Sequence, residues 1–279
     1  MLFRSFIGSG TLVAAVGFID DHRTMPRRWR LLAHFGAAGW LLWSFGGIPA
    51  LRDMGLVFDG GWIAQALAVL YVVWAINLTN FMDGIDGVAA IEAITMTFGG
   101  VLLYLAIPQG SSQSATCSVL AAATLGFLAW NWPPAKIFMG DAGSGFLGAM
   151  LAALSVEAAK GDPTLLWCWL ILFGVFIVDA TMTLTRRMVR GEPIHEAHRS
   201  HAYQHAAIRW RGHRPVTLAV AAINLCWLLP LALLVARHWL DGLVGILIAY
   251  APLIGAAAWM GAGSPSVRLD PRPLGSADV

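Results

Sequence analysis

The sequence predicts an all-α, polytopic membrane helix bundle of about nine transmembrane helices, with the amino terminus outside and the carboxyl terminus cytoplasmic. Three observations lead there. Of 279 residues, 58% are hydrophobic and only 12% are charged, where a soluble domain carries about 25% charged residues. The apolar residues gather into runs of near-bilayer length, and mean hydropathy is +0.67. The basic residues, finally, are segregated to alternate connections between those runs.

A helix needs roughly 20 apolar residues to cross the hydrocarbon core. Runs at 2–19, 31–50, 62–79, 88–107, 115–132, 144–159, 164–185, 215–236 and 243–260 meet or approach that length. Backbone groups find no water partner in lipid, so each run is expected to be a helix. The first begins with Arg4 and ends in Asp20–Asp21 without a small-residue cleavage site, so it does not read as a signal peptide. Residues 1–262 read as one transmembrane domain, and 263–279, with Pro265, Pro271, Pro273 and Gly275, as a disordered cytoplasmic tail. Cys117, Cys168 and Cys226 lie in apolar stretches without CxxC spacing and read as small core residues. A formal net charge of +2 is no basis for a nucleic-acid partner, and none is expected.

Orientation follows from the loops. With the first run pointing inward, the connections 20–30, 132–143 and 186–214 and the tail hold fourteen of the eighteen lysines and arginines. The opposite side holds Arg4, Arg52, Lys160 and Arg237. Positive charge stays on the cytoplasmic side of a membrane protein, which sets the topology stated above.

Four polar motifs then fall on the cytoplasmic face. Asp20 and Asp21 are adjacent carboxylates, whose repulsion raises one pKa and makes a proton acceptor plausible; a solvated interface pair is the plainer reading. Asn80, Asp83 and Asp86 follow the third run, with Asp83 and Asp86 on one face if a helix starts there. One aspartate would satisfy a helix cap; the trio exceeds it. Gly140-Asp141-Ala142-Gly143-Ser144-Gly145 opens the sixth run, where glycine-freed N–H groups at a helix N-terminus suit phosphate oxygens. An acid inside such a cradle requires a bridging cation, and Mg²⁺ fits because it couples one or two carboxylates to phosphates; Lys136 adds positive charge. Histidines 195, 198, 201 and 205 lie in an arginine-rich loop suited to a diphosphate or an anionic lipid surface. Zinc lacks a fourth ligand at usual spacing.

Together these residues resemble the polyprenyl-phosphate N-acetylhexosamine-1-phosphate transferases, the bacterial glycosyltransferase family 4 to which the phospho-muramoyl-pentapeptide translocase also belongs. The Asp-Asp pair, the Asn80–Gly87 block, Phe138–Ser144 and the histidine loop occur in the family's order, between about residues 12 and 205. The His198-Arg199-Ser200-His201 form resembles the O-antigen-initiating branch, although the histidines are spaced more widely than in the family pattern. The resemblance implies transfer of an N-acetylhexosamine 1-phosphate from a UDP-sugar to polyprenyl (undecaprenyl) phosphate, with release of UMP, at the bacterial inner membrane. It implies Mg²⁺, with Mn²⁺ as a substitute, held by Asp141 and Asn80. Asp20 or Asp21 would take or position the proton of the lipid phosphate, with Asp83 among the catalytic carboxylates. Asp86 would face the uridine, and Lys136, His198, Arg199 and His201 the phosphates. It also implies two helices ahead of Met1, hence a chain of low activity as given, whose early helices would pack against those two or against a second copy in a homodimer. Two other readings use the same sequence: an inactive remnant of that family, and a transporter, whose ionisable groups would sit at mid-membrane.

Overall fold

The structure is a computed structural model and describes residues 2–23, 25–53, 56–105, 111–193 and 199–265. Each of the nine apolar runs is helical. In order they are α1 (Leu2–His22), α2 (Arg27–Phe45), α3 (Gly61–Met82), α4 (Val88–Leu105), α5 (Ser111–Asn131), α6 (Gly140–Gly161), the pair α7 (Thr164–Leu172) and α8 (Gly174–Val189), the pair α10 (His213–Ile223) and α11 (Leu229–Ala236), and α12 (Gly242–Met260). A short helix, α9 (Ala202–Arg209), lies between α8 and α10. Among the described residues, six helical spans are long and apolar enough to cross a bilayer, or seven if α7 and α8 count as one. α1 and α2 fall outside that set.

Three features depart from a plain reading of the apolar runs. The second run stops at Phe45 rather than 50, because Gly46 and Gly47 take φ of 75° and 85° and their N–H groups close onto Trp43 and Leu42 oxygens, the left-handed C-cap that glycine favours. Beyond it, β1 (Leu51–Asp53) and β2 (Leu56–Phe58) pair antiparallel, Leu51 opposite Phe58, so the connection is a small hairpin. The seventh run is two helices bent by 71°. The eighth carries a π turn, Asn224–Leu228, between α10 and α11.

α6 is the central post. Its face of Gly145, Gly148, Ala149, Ala152 and Ala153 is buried, and small residues let membrane helices approach closely. A Cβ at Gly148 would lie 2.6 Å from the Ala75 oxygen of α3, and one at Gly17 of α1 would lie 2.5 Å from the Ala142 nitrogen. Those two contacts hold the ends of α1, α3 and α6 together. The outer helices present apolar side chains outward, Trp62 at 80% exposure and Val119 at 71%, as lipid-facing surfaces do. The segment after α12 is tied down: Gly263 N–H donates to the Ser200 oxygen at 2.6 Å, and Arg190 donates to the Gly263 oxygen. Residues 263–265 of the expected tail are thus held against the bundle, and residues 266–279 lie outside the described ones.

Candidate active site

The packing of α1 and α3 on α6 brings the first three motifs together at one end of the bundle. Asp20 and Asp21 occupy the last turn of α1, Asn80 the last turn of α3, and Asp141 the first turn of α6. Arg30, in the first turns of α2, joins two of them: its Nη1 donates to Asp20 Oδ2 at 2.6 Å and to Asp141 Oδ2 at 3.0 Å. Asn80 Nδ2 donates to the other Asp141 oxygen at 2.7 Å and to Ser144 Oγ at 3.0 Å. Residues 61 and 111 positions apart in the chain are thus joined through one half-buried carboxylate.

Asp21 has a different task. Its two oxygens accept the backbone N–H groups of Asp141 at 2.9 Å and Ala142 at 3.2 Å. These belong to the orphan donors at the start of α6, and they are the donors expected for a phosphate. A carboxylate from α1 already holds them, at the positive end of the helix. Gly140 sits at φ 66°, and a Cβ there would come within 2.7 Å of Asp21 Oδ2, so the turn closes only around a glycine. Asp20 is also engaged on both oxygens, accepting the Met25 N–H at 2.8 Å as well as Arg30. Desolvation raises this carboxyl, but the Met25 and Arg30 hydrogen bonds outweigh it and hold the pKa below the usual carboxylate value. Both members of the pair are thus engaged on both oxygens.

Asp83 follows the last residue of α3, and burial, with the charge of Asp141 second, pushes its carboxyl up to about 7. Asp86 ties the loop to its neighbours: Oδ2 accepts the Ala135 N–H at 3.0 Å and lies 3.2 Å from His213 Nδ1, while Gly87 N–H donates to Asn131 Oδ1 at 2.8 Å. Lys136, on the loop that Asp86 holds, is exposed, with its Nζ 5.4 Å from the Trp130 ring centroid.

The histidine loop needs correction at one position. The His201 ring, expected on a diphosphate, is buried with 1% exposure, and its Nδ1 lies 3.2 Å from Asp179 Oδ1. Asp179 also accepts the N–H groups of Ala202 and Tyr203, both at 2.9 Å, and so caps α9 from α8. A ring held there cannot meet a water-borne anion. Arg199 is exposed, and His198 lies outside the described residues. Tyr203 reaches the site directly: its hydroxyl donates to the Phe81 oxygen at 3.0 Å, and a Cβ on Gly84 would land on that hydroxyl.

Sequence reasoning missed Arg30 and His213. Nothing distinguishes Arg30 from Arg23, Arg27 and Arg28 in the chain, and His213 lies 127 residues from the Asp86 it faces.

The donor set suits a divalent cation. Asp141, Asp20 and Asn80 offer hard oxygen atoms, and Arg30 supplies the positive charge that their juxtaposition demands. Among the described residues, no group of three acids, histidines or cysteines could hold a metal alone. Mg²⁺ commonly takes only one or two carboxylates and completes its shell with water and phosphate, so these residues fit that cation beside a phosphorylated substrate.

The chain matches known proteins over most of its length. Residues 3–159 match the family model described as glycosyl transferase family 4. A probable undecaprenyl-phosphate N-acetylglucosaminyl 1-phosphate transferase of Bacillus subtilis (strain 168) is 30% identical over 253 residues, covering 87% of this chain and 69% of that protein. The phospho-N-acetylmuramoyl-pentapeptide-transferase of Gloeothece citriformis is 29% identical over 187 residues, 61% of this chain and 49% of that one. Its counterpart in Synechococcus elongatus is 33% identical over 185 residues, 60% of this chain and 48% of that one. The chain spans about half the length of these last two relatives.

Proposed function

Because the chain belongs to glycosyl transferase family 4, we propose that it transfers an N-acetylhexosamine 1-phosphate from a UDP-sugar to polyprenyl phosphate in a bacterial inner membrane, releasing UMP, with the reacting groups on the cytoplasmic side. The observation that carries this reading is the Arg30 clamp between Asp20 and Asp141, with Asn80 on the remaining Asp141 oxygen. Phosphoryl transfer asks a protein mainly for positioning and charge neutralisation. A mixed cluster of acids, amide and guanidinium at a membrane helix end supports both. When bound, Mg²⁺ would neutralise phosphate charge beside Asp141 and Asn80, and Mn²⁺ would serve in its place.

Asp83 is the residue suited to take the last proton from the lipid phosphate, since a carboxyl titrating near 7 is half ionised at neutral pH and accepts readily. Asp20 orients Arg30, and Asp21 fixes the start of α6 so that Asp141 faces Asn80. Lys136 and Arg199 are the exposed cations suited to the phosphates. A role in O-antigen or another surface polysaccharide, and assembly as a homodimer, belong to the same reading.

The test is a radiolabelled UDP-sugar assay with polyprenyl phosphate, with and without Mg²⁺, over a panel of N-acetylhexosamines. Lipid-linked radioactivity and stoichiometric UMP from at least one sugar are expected. No lipid product from any sugar, with a folded protein, would sink the reading. Cysteines at 84 or 142 labelled only from the periplasmic side would sink its orientation.

A further inference from the structure

Inside the bundle, about one turn into α4 and six residues past Asp86, Glu92 is buried with 1% exposure. Asn224, at the start of the π turn and itself 2% exposed, donates through Nδ2 to Glu92 Oε2 at 2.7 Å and to Thr95 Oγ1 at 2.8 Å. The site described above does not use either residue. Glu92 Oε1 and Asn224 Oδ1 are both buried without a partner. A polar pair in this position needs a reason, because ionisable groups inside a membrane protein are costly.

The break between α7 and α8 supplies one. Bending a helix by 71° frees backbone groups on both sides of the bend, and in hydrocarbon each must find a partner. Two side chains meet that need. The Tyr250 hydroxyl of α12 donates to the Leu170 oxygen at 2.7 Å, on the α7 side. The Glu92 carboxyl lies beside the Phe176 N–H, on the α8 side. The π turn touches the same point: a Cβ at Gly174 would lie 3.0 Å from Tyr250 and 3.3 Å from Leu228. π turns inside α-helices often mark functional positions, and this one carries Asn224 to the carboxyl.

α8 is also the element whose position matters to the active end. It carries Asp179, about a turn and a half beyond the break, and Asp179 holds the start of α9 and so Tyr203 against the Asp83 loop. An apolar pocket of about 130 Å³ lies where α8, α9, α10 and α12 meet, lined by Val175, Asp179, Tyr203, Val220 and Ala257.

We propose that Glu92, Asn224 and Tyr250 form a latch that fixes the broken helix α7–α8, with Glu92 acting as a neutral hydrogen-bonding group, and that it thereby positions Asp179, α9 and Tyr203 at the transferase site. These are positioning residues. One proton on the carboxyl would give an orphaned oxygen of the pair its missing donor, and glutamine reproduces that donor without charge.

The kinetic arm rests on the transfer reading; the structural arm does not. Backbone hydrogen exchange of the full chain in detergent reads α9, residues 202–209, directly. Glu92→Gln should leave that exchange and the UDP-sugar KM within about twofold of wild type. Glu92→Ala should speed exchange at Ala202 and Tyr203 by about tenfold or more through local opening, and raise KM more than it lowers kcat. Should Glu92→Ala fail to fold, Tyr250→Phe and Asn224→Ala carry the same test and should speed α9 exchange several-fold. A glutamine variant that behaves like the alanine variant overturns the neutral latch. Unchanged α9 exchange in the folded alanine and phenylalanine variants overturns the positioning role. If the wild type transfers no sugar while α9 exchange follows this pattern, the transfer reading fails and the latch stands.

Discussion

Two helices in this chain have their amino ends capped by an aspartate from another element, and the two caps sit in different surroundings. Asp21 of α1 caps α6 at an exposed position, while Asp179 of α8 caps α9 from within the fold at 5% exposure. The chemistry is the same: a carboxylate accepts two orphan N–H groups at the positive end of a helix. What differs is the alternative open to those donors. Around α6, water or a phosphate can replace the carboxylate. Around α9 the carboxylate is enclosed, so Asp179 is fixed structure, while Asp21 is open to solvent. The acidic end of the molecule is therefore the adjustable one, and the α8–α9 wall is the fixed one.

The largest effect is expected at Asp141, which lies at the adjustable end and touches Arg30 and Asn80 together. Asp141→Asn should lower kcat by about a thousandfold, the scale of losing one group that stabilises transition-state charge, and flatten the Mg²⁺ response. Its thermal unfolding should stay close to wild type, since Asn can still pair with Arg30 and Asn80. A near wild-type rate would break the division between the two ends.

The fixed end should fail in the opposite way. Asp179→Ala strands the buried N–H groups of Ala202 and Tyr203 and the His201 ring. It should cost about 3 kcal/mol of stability, the usual scale for emptying a buried polar cluster, measured by denaturation in mild detergent. Asp179→Asn keeps part of the acceptor set and should cost less.

pH sharpens the comparison further. Asp83 holds its proton up to about 7 where the ordinary carboxyl releases it near 3.8. If its ionised form accepts the lipid proton, the rate should rise about tenfold per pH unit below 7 and level off above it; Asp83→Asn should remove that limb. Stability moves the other way. The folded chain binds this proton more tightly than the unfolded chain, so the contribution of Asp83 is present below the unfolded value and declines as pH rises from about 4 to about 7. A rate that falls across that window would remove Asp83 as the acceptor.

Much of this was legible in the chain. The nine apolar runs are all helical, because length and hydropathy are local properties. Asn80, Asp83 and Asp141 come together because their motifs end or begin helices that pack on α6. What was not legible depends on long-range geometry. The run 164–185 reads as one apolar segment, with only Gly174 to hint at a bend, and the partners that stabilise the bend come from α4 and α12. His201 shares its loop with exposed residues, and only the fold shows that it faces Asp179 rather than water. Arg30 is one of four arginines between residues 23 and 30, singled out by the pitch of α2 and nothing nearer.

The smallest effect tests Asp21, where the two caps differ most. Asp21→Asn keeps the side chain's shape and one acceptor oxygen but removes its charge from the start of α6. Exposed caps contribute about 0.5–2 kcal/mol when deleted outright, and the conservative change should cost less, about 0.5 kcal/mol in detergent. Its informative consequence is on anions. With the carboxylate gone, the Asp141 and Ala142 N–H groups are freer to receive a phosphate oxygen, so inorganic phosphate or UMP should inhibit the variant more strongly than wild type, by about two- to fivefold in Ki, given that one charge near a helix end is worth about 0.3–1 kcal/mol. The corresponding change at Asp179 should leave product inhibition untouched, because no ligand reaches that helix end. Equal anion inhibition in wild type and Asp21→Asn would mean that Asp21 is as fixed as Asp179, and that both helix ends are closed to substrate.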